Sequence, residues 1–307
     1  MSELIQQIIN GLLLGCNYTL IAIGFSLFFG ALNVVHFSHG DVCILGSFVI
    51  LIFYAIGIAS GLLAALPPGL SVPLLIGAAA AVTGILGAVF ERIVIRPFRH
   101  APLLMVLVAT VALGLIIREA LRIFYPQGSN PQIFPRFLPQ GSFDMGGVPV
   151  HYDNLIILAA TVGLITAVFL FIRRTRTGAA IRAISQDIEA AMMMGINIDT
   201  TVAITFLMGS SLGAVAGILN GAYISIIRFD MGLMGGIKGF SAAVVGGLGN
   251  IYGAIFGGLV LGFVETFASA FIPGGTAYKD VFAFLVVIFF LVFKPSGILG
   301  ERVYEKV

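Results

Sequence analysis

The segment NLIILAATVGLITAVFLFIRR, residues 154–174, carries no charged side chain before Arg173. A helix rises about 1.5 Å per residue, so a membrane core about 30 Å thick needs ~20 apolar residues in succession. Residues 154–172 meet that length, and the two arginines that follow favour the headgroup region and water. The segment therefore predicts a helix that spans a membrane.

The composition extends this prediction to the whole chain. Of the 307 residues, 59% are apolar and 10% are charged, whereas about a quarter of the residues of a soluble domain are charged. The short segments of alternating polarity that are typical of a β-barrel are missing from the sequence. We therefore predict an all-α fold, a polytopic transmembrane helical bundle that forms one domain over residues 1–307. Its eight predicted spans are about 4–29, 42–59, 72–92, 101–123, 154–172, 201–226, 251–272 and 280–294.

The basic residues predict which face of the bundle lies in the cytoplasm. Ten of the sixteen Lys and Arg residues lie in three segments: Arg92, Arg96 and Arg99; Arg173, Arg174, Arg176 and Arg182; and Lys294, Arg302 and Lys306. Because Lys and Arg concentrate in cytoplasmic loops, we expect all three segments to lie inside. The loop 124–153 and the turns near 228–238 and 273–280 are then expected on the external face.

Glycine marks a short segment and two packing ridges. Residues 239–245 are too few to cross a membrane, and the glycines of residues 246–250 favour a turn, so we predict a half-helix that enters the membrane and turns back. Other glycines recur along one side of two spans, at 209, 213, 217 and 221 and at 253, 257, 258 and 262. Small residues at this spacing allow helices to approach closely in lipid, so we expect helix–helix contacts there.

A polar stretch interrupts the first two spans. In LNVVHFSHGD, residues 32–41, the polar residues are Asn33, His36, Ser38, His39 and Asp41, and Gly40 favours a break in the helix. Irregular backbone within a membrane faces protein or a water-filled cavity, so this stretch is a candidate part of the translocation path. Two alternatives remain open, a short cytoplasmic hairpin and a metal site, although zinc usually takes three or four protein ligands.

Charged residues also occur inside predicted spans. Glu265 lies within an otherwise apolar segment, either as a proton-coupling carboxylate of the path or as an acceptor of hydrogen bonds from other helices, and its isolation favours the second role. Glu119 and Arg122 are one helical turn apart and are expected to form a local ion pair.

The longest amphipathic stretch is TRTGAAIRAISQDIEAAMMMGI, residues 175–196, within a cytoplasmic loop at about 173–199. The spacing predicts one helix of about four turns that stops at Gly195, with Asp199 capping the span that follows. A helix lying on the lipid surface is one interpretation. The many alanines favour the other, a close fit in a groove of a second protein.

The pattern G…RA…D…AA…GI in this stretch resembles the coupling segment of ABC importer permeases. The chain is most similar to the branched-chain amino acid permease family, through YTLIAIGFSLFFGALNVVHFSHGD (18–41), ERIVIRPFR (91–99), AAVVGGLGNIYGAIFGG (242–258) and KPSGILGE (294–301). The resemblance implies that these residues couple the permease to an ATPase: Gly178, Arg182, Ala183, Asp187, Ala190, Ala191, Gly195 and Ile196. Arg118 and Arg122 stand where more neutral residues are expected, which leaves the substrate open.

The same resemblance implies a bacterial inner-membrane protein with several partners. These are a second homologous permease subunit, two cytoplasmic ABC ATPase subunits, a periplasmic substrate-binding protein and the lipid bilayer, with no nucleic acid and no cofactor. The chain has no Walker A motif of its own, because its four lysines are followed by Gly, Asp, Pro and Val, whereas the motif needs Ser or Thr there. The predicted function is that of a transport subunit, not an enzyme. The alternative is a stand-alone ion-coupled transporter of amino or organic acids that uses Glu265 or Asp41.

Overall fold

A computed structural model describes residues 2–65, 67–99, 101–139, 141–144 and 149–300, so the predicted basic residues Arg302 and Lys306 lie outside the described part. The chain is helical almost throughout. The helices are α1 (Ser2–Leu32), α2 (His39–Ala59), α3 (Leu62–Ala65), α4 (Pro68–Phe90), α5 (Leu103–Phe124), α6 (Tyr152–Arg174), α7 (Arg176–Gln186), α8 (Ile188–Met193), α9 (Ile198–Ile224), α10 (Met231–Gly246), α11 (Ile251–Phe271) and α12 (Lys279–Phe293). A π-helix (Glu91–Ile95) and a 3₁₀ helix (Arg96–Phe98) extend α4. The all-α polytopic bundle is confirmed.

Seven helices in the described ranges are long and apolar enough to cross a membrane. They are α1, α2, α4 with its extension, α5, α6, α9 and α11, and they correspond to the first seven predicted spans. The eighth prediction, 280–294, corresponds to α12, whose 15 residues extend only about 22 Å. Helix α12 is therefore shorter than a full span.

The half-helix predicted at 239–245 is part of the longer helix α10, which has 16 residues. The turn expected near 228–238 is mostly the first half of this helix. Strand β4 (Ile226–Ile227) precedes α10 at the far end of α9, and the last turn of α10 bonds the chain segment that follows α12, through Ile298 N–H to Val245 O at 2.8 Å. Helix α10 is therefore an apolar helix that is longer than predicted but shorter than the seven spans.

Close glycine contacts hold α1 between α9 and α11, as the ridges predicted. A Cβ on Gly258 would collide with Thr19 of α1, and one on Gly262 would collide with Gly15. On α9, Gly209 packs against Phe28 of α1, and Gly213 against His39 of α2. Because backbones approach this closely, dispersion contacts can hold the helices together without a hydrophobic effect.

The described parts of the three basic segments meet at one end of the bundle, which we call the basic end. Arg96 and Arg99 both contact Asp199 at the start of α9. Gly30, near the end of α1, lies beside Ser185 of α7 and Gly249 of the α10–α11 turn. The carbonyl of Leu299 accepts a hydrogen bond from Asn250 Nδ2 at 2.8 Å, which brings the segment after Lys294 to the same turn.

The opposite end carries the loop between α5 and α6. Strand β1 (Gln132–Ile133) pairs antiparallel with β4, and β2 (Ser142–Asp144) pairs antiparallel with β3 (Pro149–His151). Phe134, which is 1% exposed, packs against Gly221 near the end of α9. This loop is thus anchored to the bundle, although its composition predicted only a compact turn-rich segment.

Candidate functional site

The break between α1 and α2 covers residues 33–38. Asn33 ends α1 because its φ of +54° leaves the helical region, while its N–H still donates to Phe29 O at 2.7 Å. Gly40, which was predicted to cause the break, lies inside α2 and packs directly against Gly236 of α10. A side chain at position 40 would prevent that approach, so this glycine serves helix packing.

The polar residues of the break separate into exposed and buried ones. Asn33 is exposed at the end of α1, apart from the others. His36, Ser38 and His39 are at most 2% exposed, and Ser38 Oγ lies 3.2 Å from His36 Nε2. Phe28 meets both imidazoles edge to face, with ring centroids 5.1 Å from His36 and 5.0 Å from His39. The two histidines are therefore packed among aromatic side chains.

Asp41 pairs with Arg118, a residue that the sequence left without a role. The Arg118 Nε lies 3.2 Å from Asp41 Oδ1, and the two side chains are 16% and 3% exposed. Gly114 of α5 and Gly232 of α10 both lie against Asp41. The pair thus joins α2 to α5 at the point where α10 begins. The predicted pair of Glu119 with Arg122 is confirmed, with 2.8 Å between Oε2 and Nε.

Glu265 belongs to a second cluster of charges, which brings together four helices. Its carboxylate accepts a hydrogen bond from Tyr18 Oη at 2.7 Å and lies 2.8 Å from Lys238 Nζ. Lys238 Nζ also lies 2.6 Å from Asp280 Oδ1, and Lys279 Nζ is 4.0 Å from Glu265. We call Tyr18, Lys238, Glu265, Lys279 and Asp280 the charge cluster. Glu265 is confirmed as an acceptor of hydrogen bonds between helices.

A cavity of about 200 Å³ lies beside the charge cluster. Its polar lining comprises Asn17, Tyr18, Asn220, Lys238, Glu265 and Lys279, and its apolar lining includes Ile21, Ile44 and Met231. Of the six residues predicted for the translocation path, only Glu265 lines it, although Gly40 and Cys43 bring the start of α2 to its wall. Lys238 was missed, because its glycine-rich surroundings suggested an external turn. A lysine within the apolar run GGIKGFSAAVVGG is the signal that could have identified it.

The predicted amphipathic helix at the basic end is two helices. Asp187 has extended backbone angles, and its Oδ1 accepts from Ala190 N at 3.0 Å, so it ends α7 and caps α8. The prediction of one continuous helix is therefore wrong, because Asp is more favourable at the N-cap of a helix than in its middle. The predicted cap at Asp199 is also wrong: Asn197 Oδ1 accepts from Thr200 N at 3.0 Å, while Asp199 pairs with the two arginines.

The predicted coupling residues of this helix pair include both buried and exposed ones. Gly178 and Ala191 are buried, Ala183 and Ile196 are half-buried, and Arg182, Asp187, Ala190 and Gly195 are exposed. Gly178 packs against the carbonyls of Phe171 and Ile172, and Arg182 donates to Ile172 O. Gly195, at φ +81°, reverses the chain after α8. The buried members hold the helices on the bundle, and the exposed members remain accessible.

Three methionines that the sequence interpretation left unused form the most exposed apolar surface of this region. Met192, Met193 and Met194 are 52%, 87% and 82% exposed, and Ile188 is 39% exposed. Methionine is common at adaptable binding surfaces because its side chain is flexible and polarisable. We call Ile188, Ala190 and Met192–Met194 the methionine surface. The run MMM in the sequence is the signal that could have identified it.

Metal binding receives no structural support from these groups. Across the described ranges, no three His, Cys, Asp or Glu side chains are arranged to hold a metal ion. His36 and His39 are in contact with Phe28, and Asp41 is paired with Arg118.

Comparison with known proteins identifies close similarity over nearly the full length. A family model described as "Branched-chain amino acid transport system / permease component" matches residues 7–291. The chain is 38% identical to the high-affinity branched-chain amino acid transport system permease protein BraD of Pseudomonas aeruginosa, over 99% of this chain and 98% of that protein. It is 34% identical to the LivH permease protein of Escherichia coli K12, over 99% of this chain and 97% of the relative. The probable LivH of Methanocaldococcus jannaschii is 28% identical, over 96% and 92%.

Proposed function

The chain belongs to the family of branched-chain amino acid transport permeases, and we propose that it is the transmembrane permease subunit of an ATP-binding-cassette importer. Its cargo is a branched-chain amino acid or a related small solute. Separate ATPase subunits drive the transport, since no lysine of this chain has the sequence context of a Walker A motif.

The observation that carries this proposal is the methionine surface on α8. A separate ATPase must transmit its conformational change to the permease through a rigid contact. Helices α7 and α8 meet this need, because Thr175 and Asp187 cap them and buried residues such as Ile181 and Ile184 attach them to the bundle. The methionine surface, by contrast, is apolar and is left uncovered by the described part of the chain. Exposed apolar patches of this kind are typical of sites that bind another protein.

The location of this surface supports a cytoplasmic partner. It lies at the basic end, with Arg96, Arg99 and Arg182, and basic residues concentrate on the cytoplasmic side. We therefore propose two cytoplasmic ABC ATPases docked at this end, one on this chain and one on a second, homologous permease. On the other face, the anchored loop between α5 and α6 would receive a periplasmic substrate-binding protein. The membrane is then the inner membrane of a bacterium.

A stand-alone ion-coupled transporter is the alternative. It would need a carboxylate that binds and releases an ion, and Glu265 and Asp41 are the two intramembrane candidates. Each is already paired, Glu265 with Lys238 at 2.8 Å and Asp41 with Arg118 at 3.2 Å. Each carboxylate is thus balanced by a cation of the chain itself and needs no added proton or sodium ion, so the ATP-driven importer is the better supported function.

Reconstitution tests the proposal directly. The chain is purified with the proteins encoded beside it, placed in liposomes, and supplied with a loaded binding protein outside and ATP inside. We expect uptake that requires ATP and continues when an ionophore abolishes proton and sodium gradients. Uptake that needs a gradient and proceeds without ATP or an ATPase would replace the proposal with the ion-coupled alternative.

A further inference from the structure

The charge cluster contains more charge than helix packing needs. The side chains of Lys238 and Glu265 are only 7% and 4% exposed, and Lys238 contacts a second carboxylate, Asp280. A buried ion pair is often no more stabilising than apolar side chains of similar size. Ionisable residues inside a membrane bundle are more often part of a substrate or ion pathway. The cluster is therefore a candidate for a binding role.

The neighbouring cavity shows where a ligand would sit. Its volume of about 200 Å³ lies below the range of about 300–1,000 Å³ that drug-sized ligands occupy, so it suits a small solute. Its lining includes the polar side chains of Lys238, Glu265 and Asn220 and the apolar side chains of Ile21, Ile44 and Met231. A ligand with a charged part and a short apolar part matches this division.

The signs of the charges define the ligand further. Lys238 and Lys279 carry two positive charges and Glu265 carries a negative charge at the cavity wall, and Asp280, which pairs with Lys238 at 2.6 Å, brings the formal sum of the cluster to zero. A solute with one cationic and one anionic group can replace an ion pair of the cluster, because its anionic group pairs with a lysine and its cationic group pairs with a carboxylate. No charge is then left unpaired. A solute with a net charge would leave one charge uncompensated beside the buried side chains of Lys238 and Glu265, which is strongly unfavourable.

We propose that the charge cluster is a charge-selective binding site for small zwitterions, in which Lys238 takes the anionic group and Glu265 the cationic group. The site rests on the proposed transport function, since the bound solute must be one that crosses the membrane. Lys238 and Glu265 are then residues that determine specificity inside the permease, in addition to any selection by an external binding protein.

A cysteine reporter tests this proposal without ATP. Asn220, which lines the cavity, is changed to Cys in full-length chain lacking Cys16 and Cys43, kept in its membrane complex. The rate of its labelling by N-ethylmaleimide is measured in the presence of leucine, leucinamide or 4-methylpentanoate. These solutes share an aliphatic chain, but leucine is zwitterionic, leucinamide is cationic and 4-methylpentanoate is anionic. We expect leucine at twice its dissociation constant to slow labelling about threefold, and the two charged analogues to leave the rate unchanged.

Charge variants make the result specific. Glu265→Gln makes the cluster net positive and should transfer protection to 4-methylpentanoate, whereas Lys238→Met makes it net negative and should transfer protection to leucinamide. Lys238→Arg keeps the charge and should keep protection by leucine, which guards against a folding defect in Lys238→Met. A reporter at Ser129, on the exposed α5–α6 loop, should react equally with every solute.

Several results would overturn the proposal. These are equal protection by all three solutes, protection that the charge variants do not redirect, or no protection of a reporter that reacts. A reporter that the reagent cannot reach would also count against a site open to solutes. Because the experiment needs neither ATP nor uptake, its failure differs from failure of the importer function, which the reconstituted transport experiment measures.

Discussion

Arg99 donates from Nη1 to Asp199 Oδ1 over 2.7 Å, and its Nη2 contacts Glu91. The guanidinium therefore connects the π-helix after α4 to the first turn of α9. Both segments lie at the basic end, where the methionine surface is exposed. The contact gives this end a polar connection between parts of the chain that are 100 residues apart.

Removing Arg99 should be far more damaging than removing Asp199. The Glu91 side chain is 2% exposed, so Arg99→Met leaves a buried carboxylate unpaired, at a cost of about 3–5 kcal/mol. The Asp199 side chain is 46% exposed, so Asp199→Asn should cost about 1 kcal/mol or less. Thermal unfolding of the purified variants in detergent measures both.

Two variants control this comparison. Arg99→Met combined with Glu91→Gln should recover much of the lost stability, because no buried charge is left. Arg92→Met, at an exposed position of the same segment, should leave the melting temperature close to wild type. Equal losses for Arg99→Met and Asp199→Asn would show that Glu91 is solvated and that the pairing is unimportant.

The methionine surface yields a prediction about coupling. Ala190 is exposed on α8 beside the methionines, so Ala190→Glu places an unpaired charge in the proposed contact with an ATPase. Burying such a charge costs on the order of a few kcal/mol, which corresponds to a loss of about a hundredfold in affinity. Co-purification of the ATPase and ATP-driven uptake in proteoliposomes should both decrease sharply, while the amount of permease in the membrane stays unchanged.

A helix lying on lipid would respond differently. In that case Ala190→Glu would be tolerated, and replacing Arg173, Arg174 and Arg176 by Gln would impair function, because basic side chains bind the anionic surface. Glu189→Gln, an exposed neighbouring change that adds no charge, is the matched control. Full ATPase binding and normal uptake by Ala190→Glu would rule out docking at this surface.

The end of α1 gives a prediction about backbone strain. Asn33 has a φ of +54°, a region that asparagine and glycine adopt more easily than other residues. Asn33→Gly should leave stability unchanged or raise it, whereas Asn33→Leu should lower it by about 1–2 kcal/mol. If the break belongs to the translocation path, uptake by Asn33→Leu should decrease as well.

Asn130→Leu provides the control for this change. Asn130 is exposed in the α5–α6 loop and is absent from the set of non-glycine residues with positive φ, so its replacement should have little effect on stability. The same thermal unfolding measurement applies to all three variants. An Asn33→Leu variant as stable as Asn33→Gly would contradict a strain at this position.

Local signals in the sequence predicted most of the helices but few of the partners. Apolar length is a property of a continuous segment, so the seven long spans and the glycine contacts could be anticipated. The interruption at Asp187 is also a local signal, but the N-cap preference of Asp competes there with a helical periodicity that continues on both sides of it. The pairs Asp199–Arg99 and Asp41–Arg118 join residues far apart in the chain, and nothing in a single sequence relates their positions.

The charge cluster illustrates the same limit. Glu265 was recognisable from its own apolar span, but its partners come from three other helices. Lys238 lay among glycines that suggested a turn, and Tyr18 is one of eight tyrosines in the sequence without any charge nearby in the chain. Only the packing of α1, α10 and α12 around α11 brings these groups together.

Tyr18 allows one contact of the cluster to be removed without changing a charge. Its ring is buried, and its hydroxyl donates to Glu265 Oε2 over 2.7 Å. Tyr18→Phe keeps the ring, and with it the packing of α1, but removes the hydrogen-bond donor to Glu265 Oε2. A buried hydrogen bond to a charged group contributes about 1.5–3 kcal/mol, so the free energy of unfolding should decrease by that amount.

Thermal unfolding measures the loss. The control Tyr278→Phe, at a residue that is 62% exposed, should show almost none. Equal stability of both variants would mean that water replaces the hydroxyl, and the cavity beside Glu265 would then be hydrated at this point.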